Sequence, residues 1–282
     1  FPVYRIAPLK PGRYSLLNSY AVVFVLLLVS APASPAERQA LVIGNSQYQH
    51  VSALKNPVND ARDVAEVLED LDFDVELLED VSRSDLESAV TRFARALEGG
   101  DAGLFYFAGH GVQIEGDNFL VPIEVRPGDD ARIKAQSLNV NGLLSQLASD
   151  PDQTRLIILD ACRDNPFSSG TDTAASEGRA LRKSGSDVVQ SGLSKLDAPA
   201  NTLIAFSTAP GRVARDGDGR NSPYSRQLIR FMQKSGLAIE QMFRQVRAEV
   251  VKQTDGEQIP WESSSLIDDF YFKPRNSLPM GF

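Results

Sequence analysis

One cysteine and two histidines are the side chains of this sequence best suited to nucleophilic catalysis. Cys162 follows the apolar run 156–159, and His110 follows the apolar run 103–108. Each run is typical of a buried strand, so both residues are predicted to lie just past the carboxyl end of a strand. Neighbouring parallel strands would bring these ends into one crevice. Because an unassisted thiol is mostly protonated at neutral pH, a histidine beside it indicates a Cys–His dyad.

Each of these residues also has an ordinary structural interpretation. Cys162 would be a small core residue, since buried free thiols are common, and His110 would be a loop residue held by its neighbours. The placement of the pair favours catalysis, because a histidine falls where the thiol needs a base. Gly111 fits the same chemistry, since its N–H can approach a substrate carbonyl and, with the N–H of Cys162, stabilise an oxyanion.

The elements that must position these residues alternate between strands and helices. Apolar runs predict strands at 40–44, 73–78, 103–108, 155–160 and 202–206, with an edge strand between 265 and 272. Helical spacing predicts helices at 57–71, 86–97, 140–147, 224–234 and 238–252. Alternation of this kind predicts an α/β domain whose mostly parallel sheet is covered by helices on both faces.

That domain is predicted to span residues 37–274, between an N-terminal segment, 1–36, and a short tail, 275–282. Within it, residues 167–201 are rich in Ser, Gly, Ala, Asp and Lys and show no apolar periodicity. A long stretch of this composition predicts a flexible linker.

The N-terminal segment 1–36 has the parts of a secretory signal peptide. Three basic residues precede an apolar run at 20–29, and small residues follow at 31–34. An uncleaved membrane anchor is the alternative, although polar residues leave the apolar core short for a spanning helix. We therefore expect an exported protein, periplasmic or secreted, that meets a membrane only through this segment.

The composition limits which partners and which kinds of site are expected. The formal net charge is −8 and the pI is about 4.9, which argues against nucleic acid as the main partner. A single cysteine forms no internal disulfide and builds no cysteine-based zinc site. The interest of Cys162 therefore lies in its own reactivity or in packing.

The residues around Cys162 resemble the signature of a peptidase family. Caspases carry Q-A-C-[RQG]-G with a histidine about 50 residues upstream, and this chain has Asp160-Ala161-Cys162-Arg163-Asp164 with His110 at about that distance. Aspartates replace the leading Gln and the final Gly, which is similar to metacaspases and bacterial caspase-like proteases with their "GHG" and "D-x-C" motifs. Further matching pieces are Leu41-Val42-Ile43-Gly44-Asn45, Asn59-Asp60-Ala61, Asn118-Phe119-Leu120-Val121-Pro122, Thr208-Ala209-Pro210-Gly211, Asn221-Ser222-Pro223-Tyr224 and Gln258-Ile259-Pro260-Trp261.

The resemblance implies a caspase-like three-layer sandwich and a cysteine-type endopeptidase that cuts peptide bonds with a Cys–His dyad, His110 and Cys162. It also implies a large-subunit-like region, 37–166, and a small-subunit-like region, 202–274. The linker between them is often cleaved by the enzyme itself in this family. Peptide or protein substrates are the expected partners.

Two aspartates match positions that line the pocket for the P1 residue in the metacaspase branch, namely Asp60 and Asp160. Two carboxylates in one pocket would select Arg or Lys through charge-assisted hydrogen bonds. Each has a structural alternative: Asp60 falls in the first turn of a helix, where the helix dipole favours a carboxylate, and Asp160 would pair with Arg163.

No cofactor is expected. Many metacaspases are activated by calcium through an acidic cluster, but the matching stretch of this chain, 133–139, lacks the acidic pair. Calcium activation stays open, and no metal-ligating residues are identified. The alternative function is a catalytically silent caspase-like interaction or signalling module, against which the intact Cys162 and His110 argue.

Overall fold

The computed structural model describes residues 38–148, 150–162, 193–209, 214 and 217–275, and all of them belong to the unit Pro35–Phe282. The strands are β1 (Arg38–Gly44), β2 (Phe73–Glu79), β3 (Ala102–Ile114), β4 (Asp117–Leu120), β5 (Leu138–Asn139), β6 (Thr154–Cys162), β7 (Thr202–Phe206) and β8 (Trp261–Ser264). The helices are α1 (Pro57–Glu69), α2 (Arg83–Ala96), α3 (Asp130–Gln136), α4 (Val140–Leu147), α5 (Pro223–Met232) and α6 (Ile239–Gln253).

Local sequence signals explain where the helices begin. Both α1 and α5 start with a proline in the first turn, where the missing backbone N–H costs nothing. Ser82 caps α2 by accepting a hydrogen bond from the backbone N–H of Asp85, and Ser222 caps α5 in the same way. Prolines and serine caps in the local sequence therefore determine where α1, α2 and α5 begin.

The main sheet has the strand order β2-β1-β3-β6-β7-β8. Every pair in this path is parallel except the last, in which the edge strand β8 runs antiparallel to β7. The end of β3 also pairs antiparallel with β4, and β4 pairs with β5. The prediction of a mostly parallel sheet with helices on both faces is confirmed.

Alternation along the strands of the main sheet produces two apolar clusters, one on each face of that sheet. In β6, Leu156 and Ile158 join the cluster that contains α1, α5 and α6 residues. Ile157, Leu159 and Ala161 join the cluster that contains α2 and α4 residues. Side chains alternate along a strand with a period of two. Asp160, two residues after Ile158, therefore lies on the face of the sheet that is covered by α1 and α5.

Several predicted boundaries are wrong. The strand predicted to end at residue 108 continues to Ile114, because after His110 it leaves the parallel pairing with β6 and pairs with β4 instead. The edge strand lies at Trp261–Ser264 rather than between 265 and 272. Strands β4 and β5 and helix α3 were not predicted, because short elements give weak periodicity.

The predicted linker is too long at its C-terminal end. Leu193 and Leu196 are 1% and 5% exposed and join the apolar cluster on the α2 side of the sheet. Ser194 exchanges hydrogen bonds with Asn118, whose side-chain oxygen accepts from the Ser194 backbone N–H at 2.6 Å. The two buried leucines and the hydrogen bonds of Ser194 attach the start of the stretch 193–201 to the domain, while the rest of the predicted linker lies outside the described residues.

The N-terminal segment 1–36 also lies outside the described residues. In the part of the chain that the structure describes, no helix is long and apolar enough to cross a membrane.

Candidate active site

The two candidate catalytic residues are backbone partners on adjacent parallel strands. In the register of β3 and β6, the last paired residues are His110 and Cys162. Both were predicted to lie just past the strand ends, and both lie within the strands instead, at the point where β3 turns from β6 to β4. The sheet thus holds the two backbones at a fixed spacing.

The imidazole of His110 is buried and oriented by residues of the loop after β1. His110 is 5% exposed, and its Nε2 lies 2.9 Å from the backbone carbonyl oxygen of Ser52. A carbonyl oxygen only accepts, so Nε2 carries the proton and the lone pair of the neutral ring lies on Nδ1. The Tyr48 ring packs on the imidazole, with ring centroids 4.4 Å apart. This tautomer makes Nδ1 the basic nitrogen.

Tyr48 also fixes the backbone that carries His110. Its hydroxyl accepts a hydrogen bond from the His110 backbone N–H at 2.7 Å and donates to the Val121 carbonyl at 3.2 Å. A Cβ on Gly109 would lie 2.6 Å from this hydroxyl, so glycine is needed for the close approach. The tyrosine therefore positions both the ring and the main chain of His110.

Gly111, the candidate oxyanion donor, lies one residue further along β3. A Cβ there would lie 3.0 Å from the Ala161 Cβ and 3.2 Å from Leu193 Cδ2. The absent side chain thus lets β3 and β6 approach closely beside the candidate dyad. The oxyanion role of Gly111 and Cys162 stays a prediction.

The two candidate specificity carboxylates, Asp60 and Asp160, are buried and share one partner. Asp60 lies in the first turn of α1 and is 2% exposed, and Asp160 lies on β6 and is 7% exposed. The Ser222 backbone N–H donates to Asp60 Oδ1 at 3.0 Å. Its hydroxyl donates to Asp160 Oδ2 at 2.6 Å. The fold therefore links both aspartates through the cap residue of α5, while Arg163, the alternative partner of Asp160, lies outside the described residues.

A second serine and a tyrosine extend this network into the core. The Ser225 hydroxyl donates to Asp160 Oδ2 at 2.7 Å and lies 2.6 Å from the Tyr106 hydroxyl. Burial raises the pKa of Tyr106 well above its ordinary value, and the charges of Asp160 and Asp60 raise it further. Tyr106 therefore stays protonated and can donate.

Metal-ligating groups do not accompany this site in the described part of the chain. Among those residues, no three or more His, Cys, Asp or Glu side chains are placed to hold a metal ion. The stretch predicted to lack the acidic pair forms the end of α3, β5 and the join between them. Calcium activation stays untested.

Similarity to known proteins bears on the family of the chain. The model of the Peptidase C14 family, described as the caspase domain, matches residues 37–271. The chain belongs to the caspase domain family. This is a family of cysteine peptidases, and such peptidases act on proteins.

Individual relatives agree with this assignment. The caspase domain is 25% identical over 261 residues to cat (Felis catus) caspase-1, covering 84% of this chain and 60% of the relative. It is 32% identical over 127 residues to human (Homo sapiens) mucosa-associated lymphoid tissue lymphoma translocation protein 1, covering 45% of this chain. The matched part is 15% of the length of that human protein.

A solved structure supports the fold. The crystal structure of caspase-1 from Spodoptera frugiperda superposes with a TM-score of 0.59 at 17% identity, covering 86% of this chain and 92% of the other. The predicted caspase-like three-layer α/β sandwich is confirmed.

Sequence reasoning missed four residues of the site: Tyr48, Ser52, Ser222 and Ser225. Ser222 precedes a proline, which is a signal for a helix start, yet nothing in that signal indicates a link to two distant aspartates. Ser52 acts through its backbone carbonyl, so its residue type carries no information about its role.

Proposed function

We propose that this caspase domain is an endopeptidase that cleaves after Arg or Lys with Cys162 as nucleophile and His110 as general base. One observation carries the proposal: the pairing of His110 with Cys162 on adjacent strands, beside two buried aspartates joined through Ser222. A thiol, a base and an anionic pocket at one end of a sheet are the parts that such a reaction requires.

The proposed reaction follows from the tautomer of His110. Its Nδ1 accepts the thiol proton of Cys162, and the thiolate attacks the carbonyl carbon of the scissile bond. The backbone N–H groups of Gly111 and Cys162 stabilise the oxyanion. His110 then protonates the leaving amine, and water, deprotonated by the same ring, hydrolyses the acyl-enzyme. The carbonyl of Ser52 keeps the imidazolium oriented throughout.

Specificity is proposed to come from Asp60 and Asp160. Asp160 lies on the face of the sheet covered by α1 and α5, because it alternates in step with Leu156 and Ile158 along β6. Asp60 belongs to α1 and so lies on the same side of the sheet. A guanidinium or ammonium group would be matched there by charge, whereas an acidic P1 side chain would be repelled.

Three further features belong to the proposal. The reaction needs no cofactor, because thiolate and imidazole supply the nucleophile and the proton transfers. The N-terminal segment 1–36 exports the protein and provides any membrane attachment. The enzyme also cleaves itself within the linker, where the peptide bonds after basic residues match the proposed specificity.

The test is a panel of fluorogenic peptides that differ only at P1, assayed with the wild-type protein, Cys162→Ala and Asp160→Asn. We expect Arg and Lys peptides to be cleaved and Asp peptides to be cleaved at least about a hundredfold more slowly, since a buried like-charge encounter costs several kcal/mol. Cys162→Ala should abolish cleavage, and Asp160→Asn should reduce kcat/KM for Arg by about thirtyfold or more, which corresponds to about 2–5 kcal/mol. Wild-type turnover by Cys162→Ala, or preferred cleavage after Asp, would contradict the proposal, and an inactive wild-type protein would favour the silent module.

A further inference from the structure

Ser222 makes three hydrogen bonds through its backbone N–H and its hydroxyl. Its N–H donates to Asp60, its hydroxyl donates to Asp160, and the same hydroxyl oxygen accepts from the Ser225 backbone N–H at 2.9 Å. It is 3% exposed. One buried residue therefore joins a carboxylate from α1, a carboxylate from β6 and the first turn of α5.

The direction of each hydrogen bond around Asp160 follows from the chemistry of the groups. The hydroxyls of Ser222 and Ser225 both approach Oδ2, so both donate to it. Because Ser225 spends its only hydroxyl proton there, the hydroxyl of Tyr106 must donate to Ser225. The result is a one-way chain of donors that starts in the core and ends on the carboxylate.

These hydrogen bonds lower the electrostatic cost of burying two carboxylates. Two buried carboxylates that converge on one pocket repel each other and have lost most of their hydration. The N–H of Ser222 and the two hydroxyls put positive dipole ends on both carboxylates, so they take the place of water as hydrogen-bond donors.

The segment that carries Ser222 is also anchored. Arg220 forms a bidentate pair with Asp63 of α1, at 2.9 and 2.6 Å, and Asn221 donates to the same carboxylate at 2.8 Å. Ser222 is therefore held against α1 by its two predecessors and against β6 by its own hydroxyl.

We propose that Ser222, assisted by Ser225, is a positioning residue for P1 recognition: it holds Asp60 and Asp160 in the geometry that receives a cationic side chain. This inference rests on the proposed function, because it concerns the same pocket. It adds that discrimination of charge at P1 depends on an uncharged serine that does not itself need to touch the substrate.

The experiment compares peptides with Arg and with citrulline at P1, because citrulline has nearly the shape of Arg without its charge. For Ser222→Ala we expect the ratio of kcat/KM for Arg to that for citrulline to fall by about tenfold or more, the size expected when hydrogen bonds to a charged group are lost. The loss should appear mainly in KM, with kcat for Arg changed by less than about threefold. Ser222→Thr, which keeps the hydroxyl, should restore most of the ratio.

Two controls separate positioning from folding. Ser82→Ala removes the matching serine cap from α2, away from the pocket, and should leave the ratio unchanged. Ser225→Ala keeps the Ser222 cap and removes one donor to Asp160, so it should lower the ratio by about threefold. If Ser222→Ala does not fold, Ser225→Ala carries the test.

Calorimetry on Cys162→Ala protein distinguishes this inference from the proposed function. A tetrapeptide amide ending in Arg should bind more tightly than its citrulline counterpart. Adding Ser222→Ala should lower the ratio of the two affinities by about tenfold. An active, Arg-specific wild type with unchanged ratios in both serine variants would overturn the inference and leave the function standing. An inactive wild type that still binds Arg through Ser222 would overturn the function alone, and no preference for Arg in binding would overturn both.

Discussion

At the scale of single residues, the candidate base His110 is oriented by a backbone carbonyl and a tyrosine hydroxyl. The Ser52 carbonyl selects the tautomer with the proton on Nε2, and the Tyr48 hydroxyl holds the main-chain N–H. The ring and the main chain that carry the basic nitrogen of the candidate dyad are thus each held by an uncharged group.

Replacing Tyr48 with Phe tests this orientation. The change keeps the ring that packs on His110 but removes the acceptor of its backbone N–H and a donor to Val121. We expect kcat for an Arg peptide to fall by about tenfold with KM little changed, and stability to drop by about 1–3 kcal/mol because buried polar groups lose their partners.

Steady-state kinetics and denaturant unfolding provide the measurements. Tyr271→Phe is the matched control, since its hydroxyl donates to Asp269 at the surface, and both quantities should stay near the wild-type values. A Tyr48→Phe protein with unchanged kcat would show that the hydroxyl does not orient the base.

At the scale of elements, the position of Asp60 depends on how closely α1 packs on β1. A Cβ on Gly44 would lie 2.4 Å from the Pro57 carbonyl oxygen and 2.8 Å from the Ala61 Cβ. No side chain can occupy that space without moving the start of the helix. Gly44 therefore sets the depth at which the first turn of α1 brings Asp60 to the pocket.

Gly44→Ala should displace the first turn of α1. We expect a loss of stability of about 1–3 kcal/mol from overpacking, together with a weaker preference for Arg over citrulline at P1. Chemical denaturation and the two-peptide assay measure the effects. Gly142→Ala, where a Cβ would meet nothing closer than 3.9 Å, is the control and should change neither property adversely. If Gly44→Ala lowers stability but keeps the full preference for Arg, the packing of α1 on β1 does not control recognition at P1.

At the scale of the whole molecule, the sheet joins the chain before the linker to the chain after it. β6 and β7 pair in parallel from Arg155↔Thr202 to Leu159↔Phe206, and the apolar clusters on both faces contain residues from both parts. A cut in the linker would therefore leave the two parts associated through backbone hydrogen bonds and apolar burial.

We predict autoprocessing after Arg179, Arg182 or Lys183. Intact-mass measurement should find two fragments in incubated wild-type protein and one mass in Cys162→Ala protein, while size exclusion should show the fragments eluting together. Identical single masses in both proteins after long incubation would exclude self-cleavage without affecting the protease assignment.

The sequence by itself determined most of the strands and helices. Apolar runs predicted the five parallel strands of the main sheet, and the caspase-like motifs placed His110 and Cys162 at adjacent strand ends. These features are local, because strand period and helix caps depend on neighbouring residues. Where the local signal was short, as in β4, β5 and the segment 193–201, the prediction missed or misjudged the element.

Only the tertiary structure decided how the candidate pocket is held together. Ser222 is separated by 162 positions from Asp60 and by 62 from Asp160, and Tyr48 by 62 from His110. No periodicity or cap signal connects residues so far apart in the chain. Their contacts arise because the packing of α1 and α5 on the same face of the sheet brings buried polar groups to partners that they need once water is excluded.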